Sequence, residues 1–295
     1  MTIATKSPAA DPEVDLSETI TGEPFSIGTG FTAKSFRQNR FDGLMDPFVM
    51  LDHYTMSEPT FGAHPHAGMS AVSILFEDSE GRFNNRDSLG NDIDLMPGDL
   101  YWLKAGRGAV HDEAPRPGSR THGLQVFVNL PARMKHDAPA SLHVASDTMP
   151  VVTADGVRVR VMLGQSNESA GATSPALPLT VLDMTLDAGA RYAHTVPAGE
   201  TVLLVGVNGH VRFEIDGNAA AIGAGQAIAV NNPSRARTLT IRSAGDAHLA
   251  LLQGAPVGER FVQRGPFVMS TVEEIEAVSE AYAAGELGHI DQPAP

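Results

Sequence analysis

The sequence predicts an all-β protein of two tandem domains with a short C-terminal helix, and three observations carry that prediction. Its 295 residues include 29 Gly and 20 Pro, scattered between short apolar runs, as expected of many strands joined by tight turns. Apolar residues make up 42% of the chain, enough for a sizeable core, and only 19% are charged, which argues against a coiled coil or a disordered chain. Strand-like alternation occurs in two stretches of similar length and rhythm, with a segment lacking it between them.

Residues 1–24 are polar and acidic and read as a flexible arm or an edge strand. The first domain is expected over 25–140. Within it, Ala71–Phe76 reads as one strand, and Asp99–Leu103 as another that follows the turn Met96-Pro97-Gly98. In the run Leu124–Leu130, alternation puts Leu124, Val126, Val128 and Leu130 on one face. Residues 141–152 lose the pattern and are expected to be the linker.

The second domain is expected over 153–290. Val157, Val159 and Val161 alternate there with arginines, and Leu182, Met184 and Leu186 with polar residues. Further strands follow at Thr201–Val207, at Gly209–Ile215 before the turn Asp216-Gly217, at Thr238–Arg242 and at His248–Leu252. The turn at Pro97-Gly98-Asp99 has a rough counterpart at Gly223-Ala224-Gly225-Gln226, a hint of duplication. The helix begins near Ser270 or Thr271, either of which can cap it, with Glu273 and Glu274 in the first turn. Ile275, Val278 and Tyr282 share a face, and Gly285 is a natural stop.

Charge and composition exclude several functions. The formal net charge is −14, from 21 basic and 35 acidic residues, with no basic cluster, so direct nucleic-acid binding and adhesion to anionic membranes are disfavoured. There is no cysteine, which removes disulfides, thiolate nucleophiles and zinc-thiolate sites. Neither the N-terminus nor any later stretch has the apolar length of a signal peptide or a membrane span, so a soluble cytoplasmic protein is the expectation.

Two motifs carry chemistry. In His64-Pro65-His66 the imidazoles are two residues apart and share one side of a strand, and Pro65 favours extended backbone at His64. In Gly106-Arg107-Gly108-Ala109-Val110-His111-Asp112-Glu113, His111 and Glu113 share a side while Asp112 points away. Brought together in a small barrel, His64, His66, His111 and Glu113 would offer three imidazoles and a carboxylate to one ion. Such a set suits iron, manganese, nickel, cobalt or copper with open positions; zinc in a closed tetrahedral shell would have none.

The bland alternative is a core histidine bonded to a carbonyl and a solvated glutamate; two same-face pairs joined by a Pro-Gly turn outweigh it. Gly106-Arg107-Gly108 lacks the lysine and helix of a phosphate loop and reads as a turn. His194 and His210 have no His-x-His partner and read as structural or surface residues. His53 and His122 read as local hydrogen-bonding groups near the metal mouth, with His122 a candidate supporting donor. Trp102 and Phe76 read as core.

The stretch from His64 to Glu113 resembles the N-terminal domain of the pirin family, in which a His-Pro-His motif and a later His-x-Glu bind one metal. The resemblance extends through Asp87-Ser88-Leu89-Gly90-Asn91, Pro97-Gly98-Asp99-Leu100-Tyr101-Trp102, Ala105-Gly106-Arg107-Gly108, His122-Gly123-Leu124-Gln125 and Arg264-Gly265-Pro266-Phe267-Val268-Met269, and covers residues 25 to 285. It implies two tandem cupin (jelly-roll-like) β-barrels with a single divalent transition metal, usually iron, in the first domain and none in the second. Pirins commonly carry Arg, Phe and Glu where this chain has Ala67, Met69 and Ser70, so a candidate base is missing at Ser70 and the rim is less basic.

The resemblance implies two functions. One is an oxygen-dependent dioxygenase acting on a flavonol such as quercetin, with Glu113 as the catalytic base. The other is a non-catalytic, redox-sensitive regulatory module that binds a transcription factor or metabolic enzyme. A sugar isomerase ranks last, because no lysine or arginine cluster stands beside the histidines.

Overall fold

The computed structural model describes residues 13–290, and within them the chain forms two tandem β-barrels and one α-helix. In the first barrel a seven-stranded sheet runs in the order Ala140–Val144, Leu100–Lys104, Met69–Leu75, Thr121–Asn129, Phe48–Met56, Phe31–Arg37, Glu23–Ile27. It faces a four-stranded sheet in the order His64–His66, Ala109–Pro115, Phe83–Asp87, Asp92–Leu95. The second barrel repeats the plan. Its four-stranded sheet runs Arg191–Val196, Arg237–Ser243, His210–Ile215, Asn218–Gly223, against a large sheet centred on Glu200–Asn208, Ala247–Gly254 and Leu179–Leu186. In each barrel the turn singled out as a repeat, at Pro97-Gly98 or Gly223–Gly225, leads from the last strand of the small sheet into the large one.

The two large sheets pack on each other, and this explains the long apolar runs. Leu51, Val72, Ile74, Phe76, Trp102, Leu124 and Val126 of the first sheet share one buried cluster with Leu163, Val181, Leu203, Val205 and Leu252 of the second. The opposite face of the first sheet turns into its own barrel, where Phe31, Tyr54, Leu75, Phe83, Tyr101 and Leu103 cluster. A sheet buried on both faces needs near-continuous apolar sequence. Arg160 crosses the seam: it is 1% exposed, and its guanidinium donates to the Gly98 carbonyl at 2.5 Å and to Asp183 at 3.1 Å. Burial alone would push the Asp183 carboxyl up, but the His248 hydrogen bond and the Arg160 charge hold it below its ordinary range.

The domain edges differ from those expected. Of the segment 1–24, read as a flexible arm or an edge strand, residues 1–12 lie outside the described residues, and the rest supplies short edge strands. Asp15–Leu16 and Ile20–Thr21 pair with Gln226–Asn232 of the second barrel, and Glu23 already pairs with Ser35 of the first. The linker placed at 141–152 is shorter, because Ala140–Val144 completes the first sheet and Val151–Ala154 begins the second. The end of the chain returns to the first barrel. Ala67 bridges Phe267, and Phe267, Met269, Ile275 and Val278 bury against Ala67 and Val110.

The helix spans Val272–Ala283 and is capped as expected: the Thr271 side chain accepts from the Glu274 amide, and Glu274 reaches back to the Ser270 amide. Ile275 and Val278 are buried, whereas Tyr282, expected on the same face, is 40% exposed. Among the described residues no helix is long and apolar enough to cross a membrane.

Lys135 fastens this returning segment. It is 1% exposed, and its ammonium donates to the Gly68 carbonyl at 2.8 Å, the Val268 carbonyl at 2.8 Å and Asn129 Oδ1 at 2.7 Å. An ammonium has three donors, and here each has an acceptor. Lys135→Met should therefore remove three buried hydrogen bonds and cost about 3 kcal/mol, read as a lower urea midpoint. An unchanged midpoint would show that the bonds contribute nothing.

Candidate metal centre

His64 and His66 lie on the short strand His64–His66, and His111 on its antiparallel neighbour Ala109–Pro115, with His64 directly opposite His111. Same-side spacing on one strand and direct opposition on the next bring the three rings together. His111 Nε2 lies 3.0 Å from His66 Nε2 and 3.1 Å from His64 Nε2. The three donors fall within 4.8 Å of one another, the one such group of three or more candidate ligands among the described residues. The Gly106–Gly108 segment is the expected turn; Gly106 has φ +54° and packs so tightly that a Cβ there would meet the Asp137 carbonyl at 2.3 Å.

Hydrogen bonding alone does not account for these contacts. His64 Nδ1 donates to the Gly62 carbonyl at 2.8 Å and His66 Nδ1 to the Pro266 carbonyl at 3.3 Å, so in the neutral rings both Nε2 atoms carry lone pairs. His111 Nε2 can donate to one of them at most, while its own Nδ1 is buried without a hydrogen-bond partner. A cation at the focus of three lone pairs gives every Nε2 a partner, so the residues fit a metal. Burial, reinforced by the neighbouring His64, pushes His66 down to about 3; burial also lowers His64 and puts His111 well below its ordinary value. All three are thus neutral and ready to ligate near neutral pH.

Glu113 lines the same cavity but stands outside the three-donor group. Its Oε1 accepts from Ser73 Oγ at 2.5 Å, and its Oε2 lies 3.7 Å from His111 Nδ1. Burial, aided by the Asp112 charge, pushes its carboxyl up to about 7 against the Ser73 hydrogen bond. Asp112 points away, as alternation requires, and pairs with Arg86 at 2.5 Å.

The cavity in front of the triad holds about 150 Å³ and is walled by Phe31, Tyr54, Met56, Phe61, Phe83 and Phe127. Two polar groups inside it escaped the sequence reading. Tyr54 Oη and Asp52 Oδ1 are buried without protein partners, and burial raises both groups' pKa values. They alternate with Leu51 and His53, which face the second barrel. That alternation also corrects the placement of His53 and His122. The two rings meet Nε2 to Nε2 at 2.8 Å beside Phe76, on the interdomain face of the sheet rather than at the metal mouth. His122 Nδ1 bonds Asp78, so it is no supporting donor to the triad.

In the second barrel, His194 sits opposite Leu239 and Val196 opposite Arg237, matching the pairs His64–His111 and His66–Ala109 of the first. The places of His66, His111 and Glu113 are thus held by Val196, Leu239 and Ile241, none of which offers a lone pair. His194 is 1% exposed and bonded to Gln253 and Ser166, whereas His210 is on the surface.

Two tandem jelly-roll-like barrels with a histidine triad in the first define a protein of the cupin class. Comparison with known proteins narrows this. The pirin family profile matches residues 29–128, and that of the pirin C-terminal cupin domain matches residues 181–288. Pirin from Mus musculus is 35% identical over 240 residues, 78% of this chain and 79% of that one. A Pseudomonas aeruginosa protein named provisionally as a quercetin 2,3-dioxygenase is 33% identical over 288 residues, 92% of this chain and 98% of its own. The crystal structure of quercetin 2,3-dioxygenase from Acinetobacter baumannii superposes with a TM-score of 0.83 at 25% identity, covering 95% of this chain and all of that one. The chain belongs to the pirin family.

Proposed function

We propose that this chain is a metal-dependent dioxygenase that opens a flavonol such as quercetin, with His64, His66, His111 and Glu113 as the ligands of one divalent transition ion, iron by family habit. The observation that carries the reading is the convergence of three neutral imidazole nitrogens, two buried and one half-buried, on one point at the floor of an aromatic-walled cavity. When bound, the ion supplies Lewis acidity and redox chemistry toward oxygen.

The protein's own groups do the rest. Phe31, Phe83 and Phe127 exclude water and stack against a flat substrate. Glu113, loosening from the ion, removes the proton of the flavonol hydroxyl, since Ser70 offers no base. Tyr54 Oη and Asp52 are unspent hydrogen-bonding groups that orient the substrate's oxygens. At about 150 Å³ the cavity takes one ring, and the remainder of a three-ring ligand passes out beside Phe61, which is 48% exposed.

Anaerobic incubation of the metal-loaded protein with quercetin, followed by oxygen, tests this: the flavonol absorption band should decay, and His66→Ala should abolish the decay. Equal decay in both proteins would refute the reading. The modest cavity favours the second reading, a metal-dependent regulatory module whose oxidation state alters affinity for a protein partner. That reading predicts no turnover, together with a partner captured in one oxidation state only.

A further inference from the structure

The second barrel, without a ligand set of its own, carries a different site. A pocket of about 620 Å³ opens where Arg191–Val196 hands over to Glu200–Asn208, and Gln165, Asn167, Thr180, Thr195, Glu200 and Gln253 provide its polar lining. It is unrelated to the metal cavity, with which it shares no residue.

Behind the lining runs a hydrogen-bond chain whose direction can be worked out. Gln253 Oε1 accepts from His194 Nε2 at 2.8 Å, so its amide nitrogen points away from that ring. His194 then presents an unprotonated Nδ1 to the Ser166 hydroxyl at 3.0 Å. The Ser166 oxygen in turn accepts from the Tyr192 hydroxyl at 2.7 Å, and the Tyr192 oxygen accepts from Asn167 Nδ2 at 3.1 Å. Ser166, His194 and Gln253 are each at most 3% exposed, so the chain is locked in place. The chain ends at Gln253, which lines the pocket together with Glu200.

Glu200 gives this lining an acceptor with negative charge. The lining contains no Lys, Arg or His, and Glu200 has no ion-pair partner among the described residues. An anion is repelled here, both locally and by the net charge of −14. A ligand that brings an ammonium group completes the carboxylate, and the threonine and amide side chains around it suit hydroxyl groups. We propose that the second barrel binds a small amino-polyol, an organic cation carrying both an ammonium and several hydroxyls, with Glu200 as its charge partner and Gln253 held in position by His194. The volume suits a ligand of one or two sugar rings.

Glucosamine is the probe, with glucose and glucuronate as its neutral and anionic counterparts, titrated calorimetrically into the full-length, metal-loaded chain. The expected result is saturable one-site binding of glucosamine, at least tenfold tighter than glucose, with no binding of glucuronate. Glu200→Gln should abolish that tenfold preference, and Ala172→Phe, which fills the pocket, should remove binding altogether. Metal content and melting temperature serve as folding controls for both variants. Glucosamine binding no tighter than glucose, or binding unchanged in both variants, would overturn the proposal.

Discussion

His111→Ala should strip the chain of its metal. His111 is the keystone of the triad because its Nε2 touches both partners, at 3.0 and 3.1 Å, from a strand that neither of them shares. Without it, His64 and His66 remain a pair two residues apart on one strand, and the ion loses the imidazole that the neighbouring strand sets against them. Changes in groups that merely support ligands typically lower affinity 10- to 100-fold, so deleting this ligand should weaken binding by more than about 100-fold. After desalting, the wild type should keep one ion per chain and the variant less than a tenth of that, by elemental analysis. Near-UV dichroism should stay native, since the ring is exchanged for a methyl group inside an intact sheet. A variant that retains a full equivalent would place the ion elsewhere.

The pH dependence of metal uptake should show a single proton. The three imidazoles are held below their ordinary values, His66 to about 3, and release no proton on binding near neutrality. Glu113 is the opposite case: burial pushes its carboxyl up to about 7, so below that pH the metal-free protein holds a proton that ligation must displace. The dissociation constant should thus rise about tenfold for each pH unit below 7 and level off above it. In Glu113→Gln the slope should vanish.

The sign for folding is reversed. The unfolded carboxyl titrates near 4.5 and the folded one at about 7, so between those values the folded state binds the extra proton, and metal-free stability should fall as pH rises through that window. A slope of two or more in metal uptake would mean that the histidines are protonated in the metal-free site.

Much of this was legible in the sequence because strand geometry is periodic. His64 and His66, then His111 and Glu113, share faces simply by being two apart, and the turn Gly106–Gly108 needs residues that tolerate positive φ. What alternation cannot supply is which sheet face points where. Leu124, Val126 and Val128 share a face as expected, but they face the second barrel, because a strand buried on both sides has no polar face to betray its orientation. Ser73 shows the same difficulty. It lies in the apolar run Ala71–Phe76, and only its odd hydroxyl among aliphatic neighbours hinted at a buried partner, which is Glu113.

Tyr54 and Asp52 gave no signal, since a single tyrosine or aspartate in a strand is usually at the surface. The exchange of termini was invisible for another reason. Leu16 pairs with Val230, and Ala67 meets Phe267, contacts some 200 residues apart that no local pattern encodes. The helix was readable at its N-terminus, where the Thr271 and Glu274 capping box is a local motif, and not at Tyr282, where burial depends on how far the first barrel extends.

X-ray absorption at the metal edge of the iron-loaded protein would probe most directly whether these imidazoles share an ion. The spectrum should require three imidazole scatterers per iron in the wild type and two in His66→Ala. A wild-type shell with one imidazole or none, or a shell that His66→Ala leaves unchanged, would contradict the account.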